Sequence, residues 1–206
     1  ELNGKPLYAK GSNMVPNDNF LSRCNDSVYQ RLVSDAKAVN MNIIRVWGGG
    51  VYEDDAFYKA CDHAGILVWQ DFMFACCTYE ADSAFLASVR EEAIYNVRRL
   101  RNHPCLAVFI GNNECQDVWY GWGNKKKQLD EMGYGERVGR MQHDLFFKTL
   151  PDVVREYAPD IAYRPSSPYA FETTPSDGKN GDDHFWGVWH GAQPFEAYYD
   201  HRVRFQ

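Results

Sequence analysis

The chain has 206 residues, of which 45% are hydrophobic, and a formal net charge of −6 at neutral pH. This length and composition suit one domain with a substantial buried core. The negative charge argues against a nucleic-acid partner, because nucleic-acid phosphates would be repelled. No apolar run approaches the ~20 residues needed to cross a bilayer, so we expect no insertion into a membrane.

Three segments have apolar residues at helical spacing. In the first, 26–39, Asp26 is the predicted N-cap, and the predicted inward face consists of Val28, Leu32, Ala36 and Val39. The second, 53–64, begins with acidic residues, which suit a positive helix N-terminus, and stops at Gly65. The third, 82–101, ends in arginines ahead of Pro104, which prevents continuation. These segments predict three helices.

Short β-branched or aliphatic runs alternate with these helices, a pattern typical of a parallel sheet. They predict strands at 5–12, 42–47, 66–71 and 106–114. A helical stretch at 134–157, broken by Pro151, precedes a fifth predicted strand at 161–165. A sixth is predicted at 184–190, and residues 202–206 resemble the start of a seventh.

This alternation predicts an α/β fold of the TIM-barrel type. A TIM barrel needs eight strands and about 250 residues, whereas this chain has 206. We therefore predict a TIM (β/α)8 barrel truncated after about six and a half βα units, with residues 1–206 forming part of one domain. Missing strands leave open sheet edges, so we also expect self-association through those edges.

Glu114 is the most informative residue because of its position in the chain. It closes a run that begins apolar at Leu106 and turns polar after Ile110, a pattern that predicts a strand buried on both faces. A buried carboxylate without partners is costly, and ligands bind at the carboxyl ends of parallel strands. Glu114 is therefore a candidate functional residue, and the alternative is that it only caps the following loop.

The six cysteines give no pattern of a metal site. They are Cys24, Cys61, Cys76, Cys77, Cys105 and Cys115, with neither C-x-x-C spacing nor paired histidines. Cys61 and Cys105 fall on expected core faces, which favours small buried side chains. A nucleophilic Cys115 is an alternative, although no histidine lies near it in sequence. We predict neither a metal nor a cofactor.

Aromatic residues make up 15% of the chain and include six tryptophans. Trp47 and Trp189 lie at predicted strand ends, and Trp122 lies in the predicted loop after Glu114. Flat apolar faces beside a polar cleft suit a pyranose ring, whose C–H face is apolar and whose edges carry hydroxyls. The alternative is core packing, which suits Trp69 and Trp186 inside apolar runs better than it suits Trp122 between two glycines.

Several motifs of this chain together resemble those of a known family. The segment Arg101-Asn102-His103-Pro104, a hydrophobic strand, and Gly111-Asn112-Asn113-Glu114 closely resemble the acid/base segment of the retaining β-mannosidases of glycoside hydrolase family 2. The resemblance extends over nearly the whole chain, through Asn3-Gly4-Lys5-Pro6, Lys10-Gly11-Ser12-Asn13, Ile44-Arg45-Val46-Trp47-Gly48-Gly49-Gly50, Trp69-Gln70-Asp71-Phe72, Trp189-His190-Gly191 and Pro194-Phe195-Glu196.

The resemblance implies that residues 1–206 are part of a glycoside hydrolase catalytic domain. The parent enzyme is then expected to hydrolyse terminal non-reducing β-D-mannose residues with retention, with Glu114 as general acid/base. Asn113 is implied to hydrogen-bond the sugar near its 2-hydroxyl. The mannose subsite is implied to contain Trp47, Asp71 and Trp122, with Trp189 and His190 nearby.

The resemblance also implies where the second catalytic carboxyl group lies. A retaining glycosidase needs two such groups about 5–5.5 Å apart, and the acid needs burial or a nearby negative charge to raise its pKa. In the family, the nucleophilic Glu follows a segment like 202–206, and no Glu within this chain matches its motif. The nucleophile is therefore expected beyond Gln206, and the 206-residue chain alone is expected to be inactive.

Two other functions remain open from the sequence. One is another family 2 activity, a β-galactosidase or a β-glucuronidase, because these share the Asn-Glu pair. The other is a non-catalytic carbohydrate-binding module that uses the tryptophans alone. The sequence does not fix the compartment, although the resemblance to bacterial relatives implies a periplasmic or secreted protein.

Overall fold

The computed structural model describes residues 2–171 and 180–200. Its centre is a five-stranded sheet, made of β1 Gly11–Met14, β2 Ile43–Val46, β3 Leu67–Asp71, β4 Leu106–Ile110 and β5 Ala162–Arg164. All neighbouring strands are parallel, and their spatial order is their order in the chain. The predicted α/β fold with a parallel sheet is therefore confirmed.

Helices connect the strands, as parallel pairing requires. The connecting helices are α1 Asp26–Ala38, α2 Asp55–Ala64, α3 Ser83–Leu100, α4 Cys115–Tyr120, α5 Lys125–Glu131, α6 Gly135–His143 and α7 Leu150–Tyr157, with a short 3₁₀ turn at Leu21–Arg23. A further helix, α8 Ala197–Asp200, follows β5. None of the helices in the described part of the chain is both long and apolar enough to span a membrane.

The predicted N-cap of α1 was wrong, and of its predicted inward residues only Ala36 is buried. Asn25, and not Asp26, is the N-cap, because the Asn25 side chain accepts hydrogen bonds from the backbone N–H groups of Ser27 and Val28. The buried face is Tyr29, Val33 and Ala36, whereas Val39 is exposed. This face lies one residue later than predicted for Val28 and Leu32, because the Tyr29 ring packs against Phe57 of α2 with centroids 6.1 Å apart.

Helix α2 follows its sequence signals closely. Asp54 accepts a hydrogen bond from the Ala56 N–H at the N-terminus, and Gly65 takes the left-handed φ of 69° that ends the helix. Cys61 of α2 and Cys105 before β4 are buried in the core, as predicted. The buried Tyr58 hydroxyl donates to Gln70 Oε1 at 2.6 Å, so this polar pair is satisfied inside the core.

Pro151 does not interrupt the helix predicted at 134–157. The chain instead passes from α6 through a π-helical segment, Asp144–Thr149, directly into α7. Pro151 lies at the start of α7, immediately after the π-helical segment. The change of helical period, rather than a break, accommodates the proline.

The predicted sixth strand at 184–190 was wrong. Residues 187–190 form a turn, in which the N–H groups of His190 and Gly191 both donate to the carbonyl of Trp186 at 3.0 Å. These local hydrogen bonds, permitted by nearby glycines, replace a sheet ladder. The predicted seventh strand, 202–206, lies outside the described residues.

The first strand also starts later than predicted, at Gly11 rather than at Lys5. Gly11 lies against β2, where a Cβ atom would come within 1.9 Å of the Ile43 carbonyl oxygen. Over residues 2–171 and 180–200 the sheet does not close, and β1 and β5 are its edge strands. Self-association through these edges stays a prediction.

Candidate active site

Polar residues collect where the strands end. Asp71 is the last residue of β3, and Asn112, Asn113 and Glu114 follow β4. Beyond the regular strands, single parallel bridges join Asn113 to Ala75 on one side and to Ser167 on the other. The sheet therefore continues past β4 just far enough to hold Glu114 at its carboxyl edge, where ligands bind in parallel α/β proteins.

Glu114 has an unusual backbone and a buried side chain. Its φ is 59°, in the left-handed region that non-glycine residues rarely adopt, and it precedes the first residue of α4. Its N–H donates to the Ser167 carbonyl at 2.8 Å, which fixes the turn. The residue is only 7% exposed. Its side chain does not cap α4, so the alternative of a simple capping role does not account for its position.

Three side chains contact the Glu114 carboxylate. His184 Nδ1 lies 2.6 Å from Oε1, Trp186 Nε1 donates to the same oxygen at 3.3 Å, and Cys76 Sγ donates to Oε2 at 3.6 Å. Burial raises the pKa of Glu114, but the hydrogen bond and charge of His184 outweigh that effect and hold the pKa below its usual value. Without a further negative charge, this arrangement favours the carboxylate form.

Asn113 connects Glu114 to a buried ion pair. Its Oδ1 accepts from Arg45 Nη2 at 2.9 Å, and its Nδ2 donates to Cys76 Sγ at 3.3 Å. The Arg45 guanidinium binds both oxygens of Asp71, through Nε at 3.2 Å and Nη2 at 2.7 Å. Arg45 therefore links the ends of β2, β3 and β4 through charge-assisted hydrogen bonds.

Asp71 accepts hydrogen bonds from three residues of this network. Besides Arg45, it accepts from the Gly48 N–H at 3.0 Å and from Trp69 Nε1 at 2.9 Å, and the residue is fully buried. Burial raises the pKa of Asp71, although Arg45 and the other donors favour its ionised form. Each carboxylate oxygen already accepts two hydrogen bonds. Among the described residues, Asp71 is therefore connected to Asn113 and Glu114 only through Arg45.

Asn112 shapes the turn between β4 and α4. Its Oδ1 accepts from the Cys115 N–H at 2.9 Å and from the Ser166 hydroxyl at 2.8 Å, and its Nδ2 donates to the Pro165 carbonyl at 2.9 Å. Cys115 is buried, and burial raises the pKa of its thiol. This environment opposes the alternative of a thiolate nucleophile at position 115.

The predicted aromatic residues occupy different environments. Trp47 is half-buried just after β2, whereas Trp122 and Trp189 are 65% and 76% exposed. His190 is exposed, and its ring packs against Trp186 at a tilt of 45° with ring centroids 4.8 Å apart. Of the site residues predicted from sequence, the structure therefore joins Glu114, Asn113 and Asp71 in one network. His190 connects to it through Trp186, and no hydrogen bond among the described residues joins Trp47, Trp122 or Trp189 to Glu114.

Sequence reasoning missed four residues of the network. Arg45 stood inside a quoted motif without a role, Cys76 stood beside a second cysteine, and His184 and Trp186 were assigned to a strand. His184 also contacts the Ser167 hydroxyl at 3.0 Å and Arg45 Nη1 at 3.5 Å, so it closes the network from a distant part of the chain. The one sequence feature that could have pointed to this part of the site is a histidine, His184, two residues before Trp186.

A separate cluster of metal-binding residue types lies at the opposite ends of the strands. Asp62, His103 and Cys105 place their ligand-type atoms within 4.8 Å of one another. Asp62 already accepts from the Cys105 N–H at 2.9 Å and lies 2.6 Å from His103 Nδ1. Burial raises the pKa of Cys105, which disfavours the thiolate that a metal would need. The cluster fastens the turn before β4 to α2.

The fold and site define an α/β protein with a buried carboxylate at the carboxyl edge of a parallel sheet. No protein-family model matches the chain. It is, however, 42% identical over 193 residues to "Beta-mannosidase B" of Aspergillus clavatus, an alignment that covers 93% of this chain and 23% of that protein. The chain therefore spans about a quarter of the length of the curated relatives that it matches.

Solved structures agree with this similarity. The β-D-mannosidase from Dictyoglomus thermophilum is 41% identical, with a TM-score of 0.86 over 98% of this chain and 24% of that one. A β-glucuronidase from Bacteroides uniformis is 20% identical, with a TM-score of 0.61 over 78% of this chain and 18% of that one, a likeness that shows the fold alone. The chain is thus a homologue of a segment of the β-mannosidases.

Proposed function

We propose that this chain forms part of the (β/α)8 catalytic barrel of a retaining β-mannosidase of glycoside hydrolase family 2. In this proposal, the complete protein releases terminal non-reducing β-D-mannose residues, and Glu114 is the general acid/base. The observation that carries the proposal is Glu114, a buried carboxylate at the carboxyl edge of a parallel sheet, in a chain about 41% identical to β-mannosidases. The sequential parallel order of the five strands supports the barrel.

The contacts of Glu114 suit an acid that must also act as a base. As acid, it protonates the departing glycosidic oxygen, and as base it takes a proton from the attacking water. His184 and Trp186 hold Oε1, so Oε2, whose donor is the weaker thiol of Cys76, is the oxygen that we assign to proton transfer. A rigid, buried carboxyl group of this kind reduces the reorganisation needed in the transition state.

A second carboxyl group is required for retention. The three side chains that bind Glu114 within the described residues are a histidine, a tryptophan and a cysteine, so none of them supplies the nucleophile. We propose that the complete protein brings a Glu to about 5–5.5 Å from Glu114. Its negative charge would counter the effect of His184 and raise the pKa of Glu114 toward the value that an acid catalyst needs.

The network also suggests how the sugar is held. Asn113 is positioned by Arg45 beside Glu114, and we propose that it hydrogen-bonds the mannose near its 2-hydroxyl. Asp71 contributes through Arg45, because its own oxygens are saturated. Trp47, Trp122, Trp189 and His190 are proposed to cover the apolar face of the sugar, a role that their flat rings can perform at a polar cleft.

The test of substrate class is hydrolysis by the protein expressed from its complete gene. It is offered the 4-nitrophenyl β-glycosides of mannose, galactose and glucuronic acid at equal concentrations. We expect kcat/KM to be highest for the mannoside by at least a hundredfold. A preference for the galactoside or the glucuronide would replace the β-mannosidase assignment with the corresponding family 2 activity.

A carbohydrate-binding module is the alternative from a different class. Calorimetric titration of the same protein with mannose and manno-oligosaccharides separates the two functions when it is paired with the hydrolysis assay. Binding of manno-oligosaccharides without turnover would favour the module. We also propose a periplasmic or secreted location by the resemblance to bacterial relatives, and cell fractionation with an antibody against the protein tests it.

A further inference from the structure

Cys76 lies at the centre of the hydrogen bonds that join the proposed acid/base to the proposed sugar-binding amide. Its thiol donates to Glu114 Oε2 at 3.6 Å and accepts from Asn113 Nδ2 at 3.3 Å. Its backbone N–H donates to the Asn113 carbonyl at 2.8 Å, just beyond the parallel bridge between Ala75 and Asn113. Two contacts, one from the backbone and one from the side chain, therefore fix Cys76 against Asn113.

The backbone on both sides of this thiol–carboxylate contact is strained. Cys76 has a φ of 49° and Glu114 a φ of 59°, both in the left-handed region. Each such residue costs on the order of a kilocalorie per mole, and such residues cluster at functional sites. Neighbouring Cys77 does not share these contacts, because its thiol donates to the Thr78 carbonyl at 3.5 Å. The chain thus places one of two adjacent cysteines specifically against Glu114.

We infer that Cys76 is a positioning residue of the acid/base: its thiol binds Glu114 and Asn113 at once and holds their side chains in a common orientation. This inference rests on the proposed function of Glu114. A thiol suits the role because it is a weak donor, which steadies Oε2 while leaving that oxygen free to exchange a proton. A stronger donor would favour the carboxylate and oppose the acid step.

The groups around Glu114 determine whether loss of the Cys76 thiol raises or lowers the pKa of Glu114. Glu114 contacts His184, Trp186 and Cys76 directly, and the ion pair between Arg45 and Asp71 reaches it through Asn113. Cys76 is exposed at the surface, but partial desolvation of its thiol and the charge of Glu114 raise the pKa of Cys76, so the thiol keeps the proton that it donates. The Cys76 bond is one of the contacts that lower the pKa of Glu114, so its removal shifts that pKa upward.

The test compares Cys76→Ala and Cys76→Ser with Cys77→Ala as the matched control, in the protein expressed from its complete gene. The substrates are 2,4-dinitrophenyl β-mannoside, which needs little acid assistance, and β-1,4-mannobiose, which needs much. For Cys76→Ala we expect kcat/KM on mannobiose to fall about tenfold. We expect less than a twofold change on the aryl mannoside, and a basic limb of the pH profile moved to higher pH. Cys76→Ser keeps a donor, but a stronger one, so it should recover only part of the loss and move the basic limb below that of Cys76→Ala. Cys77→Ala should behave as wild type.

A second measurement modifies the thiol in the folded wild-type protein. Methyl methanethiosulfonate transfers its CH3S group to a cysteine sulfur and releases methanesulfinate, and dithiothreitol reverses the reaction by thiol–disulfide exchange. Modification should block mannobiose hydrolysis reversibly in wild type and in Cys77→Ala, but not in Cys76→Ser. Full activity after Cys76 is modified, or equal inhibition of Cys76→Ser, would overturn the inference, as would a wild-type pH profile for Cys76→Ala. Absence of β-mannoside hydrolysis by the wild type would instead reject the proposed function.

Discussion

The buried ion pair between Arg45 and Asp71 gives the most quantitative prediction. The two side chains are 10% and 0% exposed, and the pair is closed by two hydrogen bonds. Arg45→Met keeps much of the side-chain length but removes the charge and leaves only Gly48 and Trp69 as donors to Asp71. Removing one partner of a buried pair costs about 3–5 kcal/mol of unfolding free energy, because an uncompensated charge stays behind.

Protonation of Asp71 gives an independent value for this loss. Burial already raises the pKa of Asp71, so in Arg45→Met the carboxyl group can take up a proton instead of staying charged. From an unfolded-state pKa of about 3.9, holding that proton at pH 7 costs about 4 kcal/mol. Because the folded-state pKa then lies above the unfolded one, the penalty shrinks as the pH falls and reaches about 1.5 kcal/mol at pH 5.

Urea unfolding followed by tryptophan fluorescence, at pH 7 and pH 5, measures both quantities in the protein expressed from its complete gene. Arg90→Met is the matched control, because the Arg90–Glu156 pair has a similar separation of 2.7 Å but is 39% and 53% exposed. Its loss should be about 0–1 kcal/mol at either pH. The reasoning is refuted if Arg45→Met costs no more than Arg90→Met at pH 7, or if its cost is the same at both pH values.

Two further substitutions test the fold around the site. Tyr29→Phe removes the hydroxyl that donates to buried Glu53 at 2.8 Å. Burial raises the pKa of Glu53, so the free energy of unfolding that the variant loses should grow from pH 4 to pH 7. At pH 7 the loss should be about 1–3 kcal/mol. A loss that does not change with pH would contradict this reasoning. Gly111→Ala places a Cβ atom 2.3 Å from the Pro165 carbonyl oxygen, so its Tm should fall well below that of Gly65→Ala, which meets no atom and strains only φ. Equal Tm values would show that the backbone around Pro165 can move away from residue 111 at little cost.

Local signals in the sequence accounted for most of the fold. Acidic starts, terminal glycines and apolar spacing located α2 and α3, and the apolar runs located β2, β3 and β4. The bounds of these elements depend on residues within or next to them, so they could be predicted without knowing the tertiary contacts. The face of α1 was missed because the packing of Tyr29 on Phe57 decides it, and no residue within α1 records that contact.

The candidate site was predictable only in part, for a related reason. Glu114 and Asn113 stand together at the end of one strand, so their sequence position reveals their neighbourhood. His184, Cys76 and Arg45 come from separate segments, and their contacts depend on how the strand ends converge. The segment containing His184 was mistaken for a strand, because an aromatic run has high strand propensity whether or not local glycines turn it.

The role of Glu114 as the acid/base is the central claim, and the Glu114→Gln variant of the protein expressed from its complete gene tests it most directly. Gln is nearly the same size as Glu but carries no proton to transfer and cannot act as a base. The measurement is hydrolysis of 2,4-dinitrophenyl β-mannoside and β-1,4-mannobiose by wild type and variant, with and without sodium azide, and with analysis of the products.

We expect Glu114→Gln to lose mannobiose hydrolysis by at least a thousandfold and to form the glycosyl-enzyme rapidly from the aryl mannoside, because that leaving group needs no acid. Azide, which needs no base to activate it, should restore turnover and yield β-mannosyl azide with retained configuration. Wild-type rates on mannobiose, or an aryl mannoside turnover that azide neither accelerates nor converts to the β-azide, would contradict the assignment of Glu114.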